Sequence, residues 1–187
     1  HWAGACSALK IGRYFKNQAI VEKATMLRDL AIKKIEACYD PKIGAYTQAI
    51  GKPNLDARCL QLITFNYLDP QSERAKLHLK RIEEGLKTPE GLIYRYKHAD
   101  DFGTPETTFL ICAYWYIEAL ACVGRTDDAI REFENLLKYQ NHLGLLSEDV
   151  EAKSGSQWGN YPQAYSHVGQ LNAAFRISKK LDLPTFL

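Results

Sequence analysis

The sequence predicts an all-α protein in which buried and solvent-facing helices alternate, and three observations carry that prediction. Largely apolar segments and amphipathic segments take turns along the 187 residues. The joints alternate too, short after each apolar segment and long after each amphipathic one. Capping side chains and Pro recur where the helical patterns begin.

Residues 2–15 open the series with Trp2, Ala5, Cys6, Leu9 and Ile11, which predicts a buried helix. Residues 18–38 set one stripe (Ile20, Ala24, Leu27, Ala31, Ile35) against Glu22, Lys23, Arg28, Lys33 and Lys34, which predicts an outer one. The pair repeats as 56–67, with Cys59, Leu60, Leu62, Ile63 and Phe65, followed by 70–86, with Leu77, Leu79 and Ile82 among many charges. A third pair couples 105–123, apolar nearly all round, to 126–139, where Ala129, Ile130, Phe133, Leu136 and Leu137 oppose Asp127, Asp128, Arg131, Glu132 and Lys138. A last helix over 161–180 begins a fourth pair. Asp69-Pro70, Thr104-Pro105 and Asn160-Tyr161-Pro162 are the expected start signals, and Thr126 with Asp127 and Asp128 caps and charges another start.

The longest apolar stretch, 109–123, is interrupted by Glu118 and falls short of the ~20 residues a membrane span requires, so it reads as a core helix. The formal net charge of +2 is spread without blocks of one sign, which argues against nucleic acid or a membrane surface as partner. Five cysteines without C-x-x-C spacing read as buried free thiols in a reducing, cytoplasmic compartment. The histidines show no metal-ligand spacing, and no phosphate or dinucleotide loop is present, so no metal and no cofactor is expected. His1-Trp2 carries no targeting signature.

The outer-to-inner joints, at 40–55, 87–104 and 140–160, are rich in Gly, Pro, Tyr and polar residues. With successive helices antiparallel, all three emerge at one end, where binding and catalytic residues usually gather. Arg95 and Glu148 are thereby expected to be neighbours. Glu148 follows Leu145-Leu146 and precedes Trp158, a setting that suits a shielded general base; a surface carboxylate before a turn is the other reading. Arg95, in the alternating stretch Gly91-Leu92-Ile93-Tyr94-Arg95-Tyr96, offers a rigid donor fork to vicinal hydroxyls, with Tyr96 as a sugar-facing ring; a structural ion pair with Asp100 or Asp101 is the other reading. Asp101 and Glu106 read as loop and cap residues or as substrate contacts. His167 reads as a supporting residue rather than a ligand.

These residues resemble the glucoamylase-type glycoside hydrolases of family fifteen, in the branch that includes glucodextranases and some trehalases. The resemblance rests on Gly91-Leu92-Ile93-Tyr94-Arg95-Tyr96, on the run Asp100-Asp101-Phe102-Gly103-Thr104-Pro105-Glu106-Thr107-Thr108-Phe109, and on Gly144-Leu145-Leu146-Ser147-Glu148 with Gly159-Asn160-Tyr161-Pro162-Gln163-Ala164-Tyr165-Ser166-His167-Val168, while Leu55-Asp56-Ala57 fits more loosely. It implies an (α/α)6 barrel of which residues 1–187 form a single partial domain, the C-terminal part, with the N-terminal part of the same protein as its partner. It further implies inverting, exo-acting release of glucose from an oligosaccharide or other α-glucoside. Glu148 then resembles the general base, and Arg95, Tyr96, Asp101 and Trp158 the sugar contacts. The family's general acid precedes the helix that matches residues 1–15, so the chain alone is expected to be inactive. Two other readings are a helical-repeat interaction module, suggested by 118–139, and a barrel that binds sugar without cleaving it.

Overall fold

The computed structural model describes residues 1–182. Helices α1 (Trp2–Tyr14) and α2 (Gln18–Glu36) form a hairpin, followed by a two-residue ladder, β1 (Tyr39–Asp40) with β2 (Ala45–Tyr46). A 3-10 turn (Ala57–Leu60) runs into the short α3 (Gln61–Thr64), and α4 (Glu73–Leu86) returns. A long loop leads to β3 (Thr108–Phe109), α5 (Leu110–Cys122) and α6 (Thr126–Leu137). Then β4 (Asp149–Val150) and β5 (Gln157–Trp158) precede α7 (Ala164–Lys180). The fold is mainly α, as predicted, with two small antiparallel sheets added, one ordered β1-β2 and the other β3-β4-β5.

All thirteen residues of α5 are buried, which is what a sequence apolar all round requires. α6 covers one side with Ala129 and Leu136. α7 covers another, and Gly169 permits the approach, because a Cβ there would stand 2.5 Å from Ile111 Cδ1 and 3.0 Å from Tyr114 Cβ. Polar ties join the outer layer: Glu83 accepts from Tyr116 Oη and Arg125, and Glu36 accepts from Tyr46, Tyr67 and Arg74.

Two expectations need correction. First, α1 is not a buried helix: only Ala5, Leu9 and Gly12 are buried, whereas Tyr14 is 81% and Phe15 71% exposed. Its main partner is α2, with Trp2 at its start meeting the Tyr67 ring edge-on at 5.2 Å. Likewise Ile20 and Leu27 of the α2 stripe stay exposed, and only Ala24 is buried. Second, three helices start later than the Pro signals suggest. Asp69 folds a preceding turn by accepting the Gln71 N–H, and Ser72 caps α4 through the Ala75 N–H. The residues after Thr104-Pro105 are drawn into β3, which pairs with β4, so α5 begins only at Leu110. Asn160 is occupied elsewhere, and Gln163 caps α7. α6 does start at Thr126, but without a side-chain cap; Asp127 and Asp128 sit in its first turn.

Bonds to main-chain groups tie the loops to the neighbouring elements. Arg58 donates to the Gln48 carbonyl, Ala57 N–H to the Arg95 carbonyl, and Leu110 N–H to the Glu148 carbonyl. His78 locks the first loop from below: Nδ1 accepts the Tyr46 N–H at 3.3 Å and Nε2 bonds the Cys59 carbonyl at 3.0 Å. Burial pushes its pKa down to about 4, since a charged imidazole would lose its hydration there and be repelled by Arg74, which outweighs the bond to the Cys59 carbonyl. A depressed pKa favours folding above the ordinary value of 6.5, and that contribution, roughly 3 kcal/mol, disappears as pH falls from 6.5 through about 4. Ring-nitrogen NMR should therefore find His78 neutral at pH 5. A protonated ring at that pH would contradict the buried neutral assignment.

Candidate active site

Glu148 sits where β3, β4 and the start of α7 converge. Its main chain is pinned on both sides, N–H to the Asn160 carbonyl and C=O to the Leu110 N–H, each at 3.0 Å. The preceding residues are braced by α7: Ser166 Oγ donates to the Ser147 carbonyl at 2.7 Å, and His167 Nε2 accepts the Leu146 N–H at 3.2 Å. His167 is thus a supporting residue, as its sequence context suggested. The carboxylate is held asymmetrically. Oε2 accepts both the N–H and the Nδ2–H of Asn160, at 3.0 and 2.7 Å, whereas Oε1 has no hydrogen-bond partner among the described residues. Such an arrangement fixes the group and leaves one oxygen to take a proton.

Gly159 makes that geometry possible. With φ at +77°, a conformation that suits glycine, its missing Cβ would lie 2.8 Å from Glu148 Oε2 and 2.9 Å from Glu148 Cβ. Trp158, expected to shield Glu148, does not do so through the ladder. It stands opposite Asp149, and directly opposed residues point to one face, so successive Glu148 and Asp149 face opposite ways. Trp158 is 59% exposed.

Arg95 lies in the second loop beside the start of the 3-10 turn. Neither Asp100 nor Asp101 pairs with it; the ion pair is with Asp56, Nε to Oδ1 at 3.1 Å. Burial alone would disfavour the Arg95 charge, and Asp56 more than offsets this, so its pKa is raised. Tyr96 lies beside it, its ring 4.6 Å from that of His98 and its hydroxyl donating to Asp100. Asp101 is exposed at the tip of a turn closed by paired Asp100 and Gly103 main-chain bonds. The first turn of α5 is the common reference for both key residues. Leu110 bonds Glu148, and the Cys112 thiol, pushed up by burial, also feels Arg95, Asp56 and Asp149. Tyr96 and Asp101, by contrast, have no described tie to that turn.

Three residues of the site escape a reading by composition and spacing. Asp56 is wholly buried beneath Arg95, and only its place before an apolar run marks it as a helix-start residue. Asn160 reads as a helix cap but serves the Glu148 carboxylate instead. Asp149 is a second half-buried carboxylate; burial raises its pKa, while Thr107 Oγ1 bonds it at 2.6 Å. Among the described residues, no group of three or more His, Cys, Asp and Glu is placed to hold a metal ion, and no helix is long and apolar enough to cross a membrane.

A braced carboxylate and a fixed guanidinium, both tied to the N-terminal end of the buried helix α5, fit a sugar-cleaving site. The family model for glycosyl hydrolases family 15 matches residues 1–175. The chain belongs to that family. Its relatives include a trehalase of Thermoplasma volcanium, 32% identical over 181 residues, which cover 96% of this chain and 29% of that protein. A trehalase of Mycobacterium tuberculosis is 36% identical over 137 residues, 72% of this chain and 20% of its own length. The chain therefore spans under a third of the length of these curated relatives. Among solved structures, a bacterial glucoamylase complexed with acarbose superposes with a TM-score of 0.77 at 18% identity, covering 98% of this chain and 33% of that one. A glycosidase variant in complex with glucose gives 0.64 at 19% identity, over 89% and 45%. At those identities the likeness speaks for the fold alone.

Proposed function

We propose that the protein containing this chain is an inverting, exo-acting glycoside hydrolase that releases glucose from an α-glucoside. Residues 1–187 form the C-terminal part of its catalytic domain, and the remainder of the protein supplies the general acid. The observation that carries this reading is the Glu148 carboxylate, anchored through Oε2 and open at Oε1. Oε1 takes the proton of a water as that water attacks the anomeric carbon from the face opposite the leaving oxygen. Arg95 holds the terminal glucosyl unit, with Tyr96, Asp101 and Trp158 completing the sugar contacts from the loop surface. Three exposed or half-exposed side chains of this kind suit a sugar's polar edges and apolar face. The similarity to proteins named trehalase favours α,α-trehalose among the α-glucosides. The five free thiols support a reducing, cytoplasmic setting.

Proton NMR of the first products from trehalose tests the mechanism. Inversion at one anomeric carbon yields β-glucose from the attacked unit and α-glucose from the departing one, so both anomers appear together in equal amounts. Initial release of α-glucose alone would mean retention and overturn the assignment of Glu148 as base.

A further inference from the structure

Asp56 takes no part in the reaction as written, yet its side chain is 0% exposed and sits directly behind Arg95. At the start of the 3-10 turn its Oδ1 accepts the Arg58 N–H at 2.9 Å, an ordinary capping bond. Capping does not explain the charge, because Asn or Ser would cap without burying a carboxylate. A buried carboxylate is tolerated where cations face it. Two do: Arg95 Nε stands 3.1 Å from Oδ1, and Arg58 Nε stands 3.3 Å from Oδ2 outside hydrogen-bond geometry. Arg58 is half-exposed and also bonds the Gln48 carbonyl, so the one well-formed side-chain bond to the carboxylate is that of Arg95.

The main chain repeats the tie, since the Arg95 carbonyl accepts the N–H of Ala57, the residue next to Asp56. Arg95 is thus held at two points by one short segment. Its Nε is committed, while neither Nη group has a hydrogen-bond partner among the described residues and the side chain is 36% exposed. A planar guanidinium fixed through Nε presents its remaining donors in one orientation.

We propose that Asp56 is a positioning residue: its buried carboxylate clamps Arg95 through Nε so that the Nη donors are set for neighbouring hydroxyls of the terminal glucosyl unit. This rests on the assignment of Arg95 to sugar binding. In the full-length protein, Asp56→Asn keeps an acceptor for the Arg58 N–H and removes the charge. Its kcat/KM on trehalose should fall about 10- to 100-fold, mostly through KM, as expected for a misplaced contact. Combined with Arg95→Lys, it should cost no more than Arg95→Lys alone, because the clamp then has nothing to orient. Losses that multiply would assign Asp56 to stability and overturn the proposal. Unchanged kinetics in Asp56→Asn beside an impaired Arg95→Lys would overturn it too, leaving the sugar reading of Arg95 intact. Unchanged kinetics in Arg95→Lys would instead remove that underlying reading. Should Asp56→Asn not fold, a crystal structure of the full-length protein with glucose decides. An Nη on a glucose hydroxyl with the Nε–Asp56 bond retained supports the clamp, and a guanidinium turned off Asp56 overturns it.

Discussion

Glu148→Gln in the full-length protein is expected to lower kcat on trehalose by roughly 10²- to 10⁴-fold, the range for loss of a general base. The geometry makes this a clean substitution. The new amide can turn its oxygen towards Asn160 and keep both bonds that Oε2 now accepts, at 3.0 and 2.7 Å. What then faces the water is an NH2 group, which cannot take a proton. The main-chain bonds to Asn160 and Leu110 are untouched, so the melting temperature should be that of the wild type. KM should change only a few-fold, because ground-state binding rests on other residues. A variant with full turnover would move the base elsewhere, and the adjacent Asp149, half-buried with a raised pKa, would be the first residue to test.

The second large effect comes from a methyl group. Gly159→Ala should lower kcat by about 10- to 100-fold, since an ångström-scale shift of a reacting group commonly costs that much. The added Cβ would meet Glu148 Oε2 at 2.8 Å, its Cβ at 2.9 Å and its Cδ at 3.3 Å, so the carboxylate must move. Backbone strain at φ +77° adds a stability cost of about 1–2 kcal/mol. Gly155→Ala separates the two terms. Its φ of +73° carries a similar strain, yet its Cβ would meet only Tyr139 at an ordinary 3.7 Å. A larger melting shift in Gly159→Ala, where the clash adds to the strain, and a kcat loss confined to that variant are expected, and equal kcat values in the two variants would break the link between Gly159 and Glu148.

The helices were legible because a 3.6-residue apolar period survives in a single sequence, and α5 was clearest because nothing polar but Glu118 interrupts it. Boundaries were less so. Strands of two residues leave no alternation to detect, and β3 took over residues that the Pro signal assigned to α5. At the site, Glu148 and Arg95 stood out by residue type and loop position. Asp56 did not, because its bond to Arg95 spans 39 positions and no local spacing encodes it. Asn160 misled for a related reason: a side chain able to cap a helix is equally able to hold a carboxylate, and only the fold decides which. The exposed α1 and α2 stripes mark a different limit, since an apolar face says that something covers it without saying what.

The ties that bind the loops together run largely through backbone atoms: Ala57 to Arg95, Leu110 to Glu148, Glu148 to Asn160, Gln163 to Leu146. An amide and a carbonyl are present at nearly every position whatever the side chain, so this lattice is blind to most substitutions. A side chain between the anchors can therefore be exchanged without cutting a tie, whereas inserting or deleting a residue there would put the anchors out of register.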